Sequence, residues 1–336
     1  MDIKSENNPL VSVRLMTFNH AQFIKSAMDG IMFQRTNFNI EVVVGDDFSK
    51  DNTLEIIRTY SNSDKISINI LERKIGDDYW QNRQKHGRLY NFYNILQNCS
   101  GKYIAFLDGD DYWTDPYKLQ KQVDSMEANE DYGLSYTNAT VFDQEKGSIK
   151  GTFNFLNNAA PSSGNFFPTI VLKNYIQTLS VLVKKEYVQL ALKTIGSRWY
   201  EFKMGDYPLW IEVSRITKIK YINEITAVYR KLPNSVSFHS NIEKRYNFLK
   251  YVFDIQFYFC EKYRLGDICE KLQISYARYL CLKAFDLNAG VVDKSVIKSF
   301  KPLTIRDKFI KFSLNHKWAY NTIKVFFQTI SKIKNI

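Results

Sequence analysis

One stretch limits what this chain can fold into more than any other: Gly101-Lys-Tyr-Ile-Ala-Phe-Leu-Asp-Gly-Asp-Asp-Tyr-Trp113. It opens on a turn-forming glycine and runs through Tyr103-Ile-Ala-Phe-Leu107 without a polar group. A short apolar run of this kind, bounded by glycine, fits a strand buried on both faces. The run ends abruptly in Asp108, Asp110 and Asp111, with Gly109 between the first two. Three carboxylates at the mouth of a buried strand repel one another and are costly to desolvate, so a cation is expected beside them. The Asp-x-Asp spacing offers hard oxygen ligands suited to Mg²⁺ or Mn²⁺, ions that share the rest of their shell with water and substrate phosphates. The same acids also suit a solvated turn that caps a helix beginning near Pro116, and taken alone they leave both readings open.

The preceding residues supply the context. Leu10–Met16 reads as a first strand, broken by Thr17-Phe-Asn-His20 and followed by a helix to about Phe33. Ile40–Gly45 is a second strand that runs into Asp46-Asp-Phe-Ser-Lys-Asp-Asn-Thr53, dense in turn and cap formers, and then a helix. Ile66–Leu71 alternates as a third strand, residues 74–88 read as a polar, aromatic loop, and a helix over 88–98 leads into the acidic stretch. This alternation predicts an α/β fold with a mostly parallel central sheet and helices on both faces. Ligands gather at the carboxyl ends of the strands in such sheets. Polar clusters follow three separate strands, at Thr17–Asn19, Asp46–Asp47 and Asp108–Asp111. A dinucleotide-binding G-x-G-x-x-G is missing after the first strand, and no G-x-x-x-x-G-K-[ST] occurs, so a bound diphosphate needs another counter-charge.

In this order and spacing the pieces resemble glycosyltransferase family two, the GT-A-fold nucleotide-sugar transferases of polysaccharide synthesis. They are Val11-Ser-Val with Thr17-Phe-Asn19, Glu41 to Thr53, and Gly101 to Trp113, and the resemblance covers roughly residues 9–235. It implies a GT-A, Rossmann-like fold with a C-terminal helical extension, and a metal-dependent, inverting transfer from a nucleotide sugar, with UDP the expected carrier. By the same resemblance Thr17 and Asn19 line the nucleotide. Asp47 accepts a hydrogen bond from the base, and Asp108 faces the sugar or ribose. Asp110 is the metal ligand for Mn²⁺ or Mg²⁺, and Arg88 stands near the diphosphate. Helix capping is the competing reading for Asp46, Asp47 and Asp51.

Farther along, Tyr132–Asn138 and Leu179–Val183 read as strands, 143–165 as a loop and Lys185–Ile195 as a helix. Asp206, in Met204-Gly-Asp-Tyr-Pro208, stands where a helix starts, a good capping position. The resemblance makes it the general base, a group that attack by an acceptor hydroxyl requires. The family often has Glu-Asp here, whereas this chain has Gly205-Asp206 and so offers one candidate. Lys220–Arg230 resembles the family's closing strand and Arg230–Ser237 the loop over the donor. A His common just after that strand is replaced by Lys231 and Leu232, which leaves His239 as either a further metal ligand or a surface residue.

These readings divide the chain into a tail over 1–9, a catalytic domain over 10–238 and a helical region over 239–336. The net charge of +11 is concentrated at the end, where residues 301–336 hold eight Lys or Arg against the single acid Asp307. A basic helix with an aromatic face, about Ile305–Ile333, suits either an anionic membrane surface or a docked position on the protein. Charge confined to a tail argues against a nucleic-acid binder. A glycan or lipid-linked acceptor and a cytoplasmic protein peripheral on the inner membrane face are the corresponding expectations. A sugar nucleotidyltransferase would need a glycine-rich, Arg-bearing loop after the first strand, which Thr17-Phe-Asn19 is not. Cys99, Cys260, Cys269 and Cys281 form no C-x-x-C pair and read as reduced and buried.

Overall fold

A computed structural model describes residues 8–157, 162–233, 235, 241–288 and 292–333. They fall into two compact units that divide between Leu232 and Pro233. In the first unit the elements run β1 (Val11–Thr17), α1 (Ile24–Met32), β2 (Ile40–Asp46), α2 (Thr53–Arg58), β3 (Ile66–Ile70), α3 (Asp78–His86), α4 (Leu89–Asn98) and β4 (Tyr103–Asp108). They continue with β5 (Tyr112–Trp113), α5 (Lys118–Glu127), β6 (Tyr132–Asp143), β7 (Ser148–Thr152), α6 (Phe153–Leu156), α7 (Thr169–Leu172), β8 (Leu182–Lys184), α8 (Lys185–Ile195), α9 (Asp206–Ile216) and β9 (Lys218–Lys231).

The sheet order is β3-β2-β1-β4-β8-β6-β9-β5, with β7 beside β6. The first four strands are mutually parallel, so Thr17, Asp46 and Asp108 end on one edge. Both β4 and β6 pair antiparallel with β8, and β9 lies parallel to β6, so β9 also delivers its end to that edge. The sequence explains the centre of this layer: Val11, Val13, Leu15, Ile104, Ala105 and Leu107 are wholly buried, as strands covered on both faces require. At the opposite edge Glu41 takes hydrogen bonds from Ser12, Ser100 and the Gly101 amide. A Cβ on residue 101 would lie 2.7 Å from the Ser12 nitrogen, so β4 can start this close to β1 only with glycine.

Two stretches read as loops carry structure. Within 74–88 stands α3, whose first turn is capped by Asp77 through the Trp80 amide at 2.7 Å and whose end is set by Gly87 at φ +71°. Its helicity comes from caps and one buried anchor, Tyr79, rather than from an apolar stripe. Within 143–165, β7 folds back on β6 and α6 follows. The strand expected over Leu179–Val183 is shorter, a 3₁₀ turn at Thr178–Ser180 and then β8.

Lys118 at the head of α5 is fully buried, with Nζ 2.6 Å from Gln122 Oε1 and 4.5 Å from the Trp113 ring centroid. Burial, partly offset by Asp115, pulls its pKa from 10.5 to about 7. Between those values the unfolded chain holds the proton and the folded chain does not, so stability rises with pH across that window; below it the penalty is full. Lys118→Met is therefore expected to raise Tm more at about pH 6 than at about pH 10, the former gain amounting to several kcal/mol at most. Equal shifts at the two pH values in thermal melts would contradict a buried ammonium.

The second unit comprises α10 (Ile242–Lys262), α11 (Gly266–Leu287), α12 (Lys294–Ser299), α13 (Ile305–Asn315) and α14 (Lys317–Ile333). Its core gathers Cys281, Phe285, Ile297, Phe300 and Ile310. Asp307, the acid of the basic tail, closes a capping box with Thr304 and pairs with Arg278 at 2.8 Å. The reading of four reduced cysteines is corrected: Cys260 and Cys269 are joined by a disulfide. The chain reverses between α10 and α11, with the Leu265 amide on the Cys260 carbonyl and the Cys269 amide on the Leu265 carbonyl, and brings the two Cα atoms to 5.8 Å. Cys99 and Cys281 are free and buried. Among the described residues no helix is long and apolar enough to cross a membrane.

Candidate active site

The acidic stretch is fastened to the end of β1. The Gly109 amide donates to the Met16 carbonyl at 2.9 Å, and a Cβ at 109 would lie 2.8 Å from His20 Nδ1 and 2.9 Å from Thr17 Cγ2. The cation expected beside the acids is supplied in part by the protein. Arg14, fully buried in β1, donates from Nη1 to Asp108 Oδ1 at 2.6 Å, with its guanidinium 4.3 Å from the Phe92 ring centroid. Asp108 keeps about a third of its side chain exposed. Asp111 is buried and accepts the Arg230 amide at 2.7 Å, while Arg230 Nη1 donates to the Asp110 backbone carbonyl at 2.9 Å. Tyr112 lies under the Arg230 guanidinium at 4.4 Å.

Asp110 is treated differently. No side chain among the described residues hydrogen-bonds its carboxylate. Burial lifts its pKa above the usual range, with His20 opposing and Asp108 reinforcing the shift. Burial and the adjacent Asp110 lift Asp111 well above its ordinary value. Arg14 thus pairs with Asp108 and the Arg230 amide bonds Asp111, which leaves the Asp110 carboxylate without a side-chain hydrogen bond among the described residues. Among the described residues no group of three or more His, Cys, Asp or Glu side chains is arranged to hold a metal. Asp110 with Asp108 beside it nonetheless fits a hard divalent cation of the kind that binds one or two carboxylates and completes its shell with phosphate and water.

The second strand end is a hydrogen-bonded clasp. Thr17 donates to Asp46 Oδ1 at 2.8 Å, and the Ser49 amide donates to Asp46 Oδ2 at 2.8 Å. Asn19, at φ +53°, gives its amide to Ser49 and accepts the Lys50 amide. Asp51 caps the Thr53 amide and accepts from Ala21. The capping reading therefore describes Asp51, while Asp46 closes the turn at the end of β2 and ties it to β1 through Thr17. Thr17 and Asn19 shape the loop, with Thr17 buried and Asn19 exposed. Asp47 belongs to neither cap. Its carboxylate accepts two bonds from Arg83 Nε at 2.8 Å and one from the Tyr79 hydroxyl at 2.9 Å. Behind them Arg73 lies 3.7 Å from the Tyr79 ring centroid and donates to the Asp46 carbonyl and to Asn91 and Asn94.

Asp206 is half-buried as the first residue of α9. Its Oδ2 accepts from the Thr178 hydroxyl at 2.6 Å and its Oδ1 from the Tyr207 amide at 2.8 Å. The same 3₁₀ turn touches the acidic stretch, since Trp113 Nε1 donates to the Leu179 carbonyl at 2.9 Å. One turn thus joins the chain that carries Asp110 to the side chain of Asp206. Arg88 is exposed at the head of α4 and donates to the Lys203 carbonyl at 3.0 Å. His239 lies outside the described residues. Reading the sequence alone missed Arg14, His20, Arg83 and Arg230 as neighbours of the acids. A charged residue inside an apolar strand was a signal for Arg14; for Arg83, 36 residues from its partner, there was none.

A largely parallel α/β sheet that carries acid clusters at its strand ends and lacks a glycine-rich cradle defines the GT-A class of fold. The chain belongs to glycosyl transferase family 2, whose model matches residues 12–186. An uncharacterized protein of Mycobacterium tuberculosis is 28% identical over 240 residues, 71% of this chain and 63% of that protein, so the chain spans less than two thirds of that relative. The UDP-Glc:alpha-D-GlcNAc-diphosphoundecaprenol beta-1,3-glucosyltransferase WfaP of Escherichia coli is 27% identical over 229 residues, 68% of this chain and 80% of the enzyme. The structure of S. aureus TarS 1-349 in complex with UDP-GlcNAc is similar in fold, with a TM-score of 0.56 at 14% identity over 95% of this chain and 91% of that one.

Proposed function

We propose that this protein transfers a sugar from a UDP-sugar to a hydroxyl of a glycan or lipid-linked acceptor, with inversion at the anomeric carbon. The observation that carries the reading is the edge where β1, β2 and β4 end together, with Asp47 at one strand end and, at another, the Asp110 carboxylate, which no side chain among the described residues hydrogen-bonds. The WfaP relative, whose name specifies a UDP-sugar donor and a diphosphoundecaprenol acceptor, supports the substrate class. Asp110, with Asp108 beside it, would hold Mn²⁺ or Mg²⁺, which would supply positive charge against the leaving diphosphate. Asp47 receives the N3–H of the base, and Asp108 faces the sugar or ribose. Asp206 takes the acceptor's proton; each of its oxygens has one protein donor and keeps a further lone pair for that task. The catalytic unit corresponds to residues 10–238. Calorimetric titration with UDP tests the donor site: binding that needs Mn²⁺ and disappears in Asp110→Ala supports it. Absence of binding with and without the metal overturns UDP as carrier, and the same titration with GDP and TDP then decides whether any nucleotide is held.

The basic tail fits the surface of an anionic membrane, placing the enzyme beside a lipid-linked acceptor on the inner face. Phe309, Phe312, Trp318 and Phe326 are each more than two fifths exposed on α13 and α14, alongside the tail's surplus of Lys and Arg. Exposed aromatic rings with a basic surround suit an interface of headgroups and acyl chains. Phe312→Ser/Trp318→Ser is expected to weaken cosedimentation with vesicles containing phosphatidylglycerol by about tenfold and leave UDP affinity unchanged. Equal recovery of wild type and variant would count against this surface.

A further inference from the structure

A cleft of about 520 Å³ lies between α4, α8 and the 3₁₀ segment Gly196–Glu201, and the chemistry proposed above makes no use of it. From α4 it is lined by Tyr93 and Gln97, from α8 by Gln189 and Lys193, and from the 3₁₀ segment by Trp199 and Tyr200. We propose that it binds a neutral saccharide chain, the part of a glycan acceptor distant from its reacting hydroxyl; this ligand class rests on the transferase reading.

The composition of the wall carries the argument. Pyranose rings offer flat C–H faces that pack on aromatic rings, and hydroxyl pairs that match the donor and acceptor of a primary amide. Tyr200 is held for that purpose: its ring stacks on His86 at 4.0 Å and meets Tyr93 edge-on at 6.0 Å. Gln97 and Gln189 are both exposed on helices. Among the described residues no carboxylate and one lysine line the cleft, which suits an uncharged chain better than a phosphate-rich one. The volume falls within the range of about 300–1,000 Å³ that small-molecule sites occupy.

The second observation is Trp199. Its side chain is 2% exposed and packs on Phe92 at 5.6 Å, yet the buried indole N–H has no hydrogen-bond partner among the described residues. Trp199 lines the cleft with its ring, fixed against α4 by Phe92, and its indole N–H is closed to solvent. The position also suits an acceptor. The 3₁₀ segment runs five residues later into Asp206, and Arg88 ties that connection to α4 through the Lys203 carbonyl.

The test is saturation-transfer NMR on the full chain with maltotetraose and tetra-N-acetylchitotetraose as probes, with UDP affinity in Mn²⁺ measured in parallel. Wild type is expected to transfer saturation to at least one probe. Tyr200→Ala is expected to weaken that binding at least tenfold with UDP affinity unchanged. Gln97→Arg and Gln189→Arg, at exposed positions where folding is not at stake, are expected to do the same by blocking the cleft. UDP binding with no transfer to either probe overturns the cleft, as does transfer that survives all three substitutions. Probe binding that the substitutions abolish, in a protein that ignores UDP, leaves the cleft standing and removes the donor reading instead.

Discussion

Asp110→Ala is expected to abolish sugar transfer, lowering the rate by about three orders of magnitude or more, and to leave the protein folded at least as firmly as before. The loss follows if this carboxylate holds the cation that answers charge on the leaving diphosphate, an effect worth several kcal/mol. The gain in stability follows from its surroundings. Burial, reinforced by Asp108, raises its pKa, so the folded state binds protons more tightly than the unfolded one. For an acid shifted upward, stability falls as pH climbs through the window between the two values and stays reduced above it. Removing the group removes that penalty. Differential scanning calorimetry should show Tm unchanged or raised at neutral pH, and Mn²⁺ should raise Tm in wild type but not in the variant. A variant that loses activity because it unfolds would instead assign Asp110 a structural role.

Asp206→Asn should lower kcat by about 10²- to 10⁴-fold, the range spanned by general bases, and leave UDP affinity within about twofold. Asparagine is the informative substitution because both existing contacts tolerate it. Its carbonyl oxygen can keep the Tyr207 amide, and its amide nitrogen can donate to the Thr178 hydroxyl that now donates to Asp206. The start of α9 is thereby preserved, and only the proton acceptor is lost. Retention of most of the activity in a steady-state assay would place the base elsewhere.

The frame of this fold was legible because its signals are local. An apolar run bounded by Gly101 and the acids had to be an interior strand, and successive strands joined by amphipathic helices had to lie parallel. The carboxyl edge followed from that geometry. What escaped was set by distant partners. Arg14 sits in a strand whose other buried residues are largely apolar, and its match to Asp108 spans 94 positions. The helix α3 has too few apolar residues to betray its period; Asp77 and Gly87 hold it instead. The disulfide depends on a reversal after α10 that spacing alone did not reveal. Within the candidate site, residue types and strand ends could be named in advance. That Asp51 caps α2, Asp46 closes the turn after β2 and Asp47 faces α3 could not, because adjacent acids in one loop carry the same local signal.

The ion pair on Asp47 has a consequence for discrimination among nucleotides. In the reading proposed here an incoming base exchanges with Arg83 and Tyr79 for the carboxylate, so its net gain is the difference between two sets of hydrogen bonds. Uracil brings an N–H to that exchange and frees the guanidinium to meet a base carbonyl. Cytosine presents a bare N3 that the carboxylate repels, and has only its exocyclic N4 amine, placed elsewhere on that edge, to offer in exchange. Selectivity at this position then comes from an internal competitor that only the right edge displaces, rather than from a tighter grip on the favoured base.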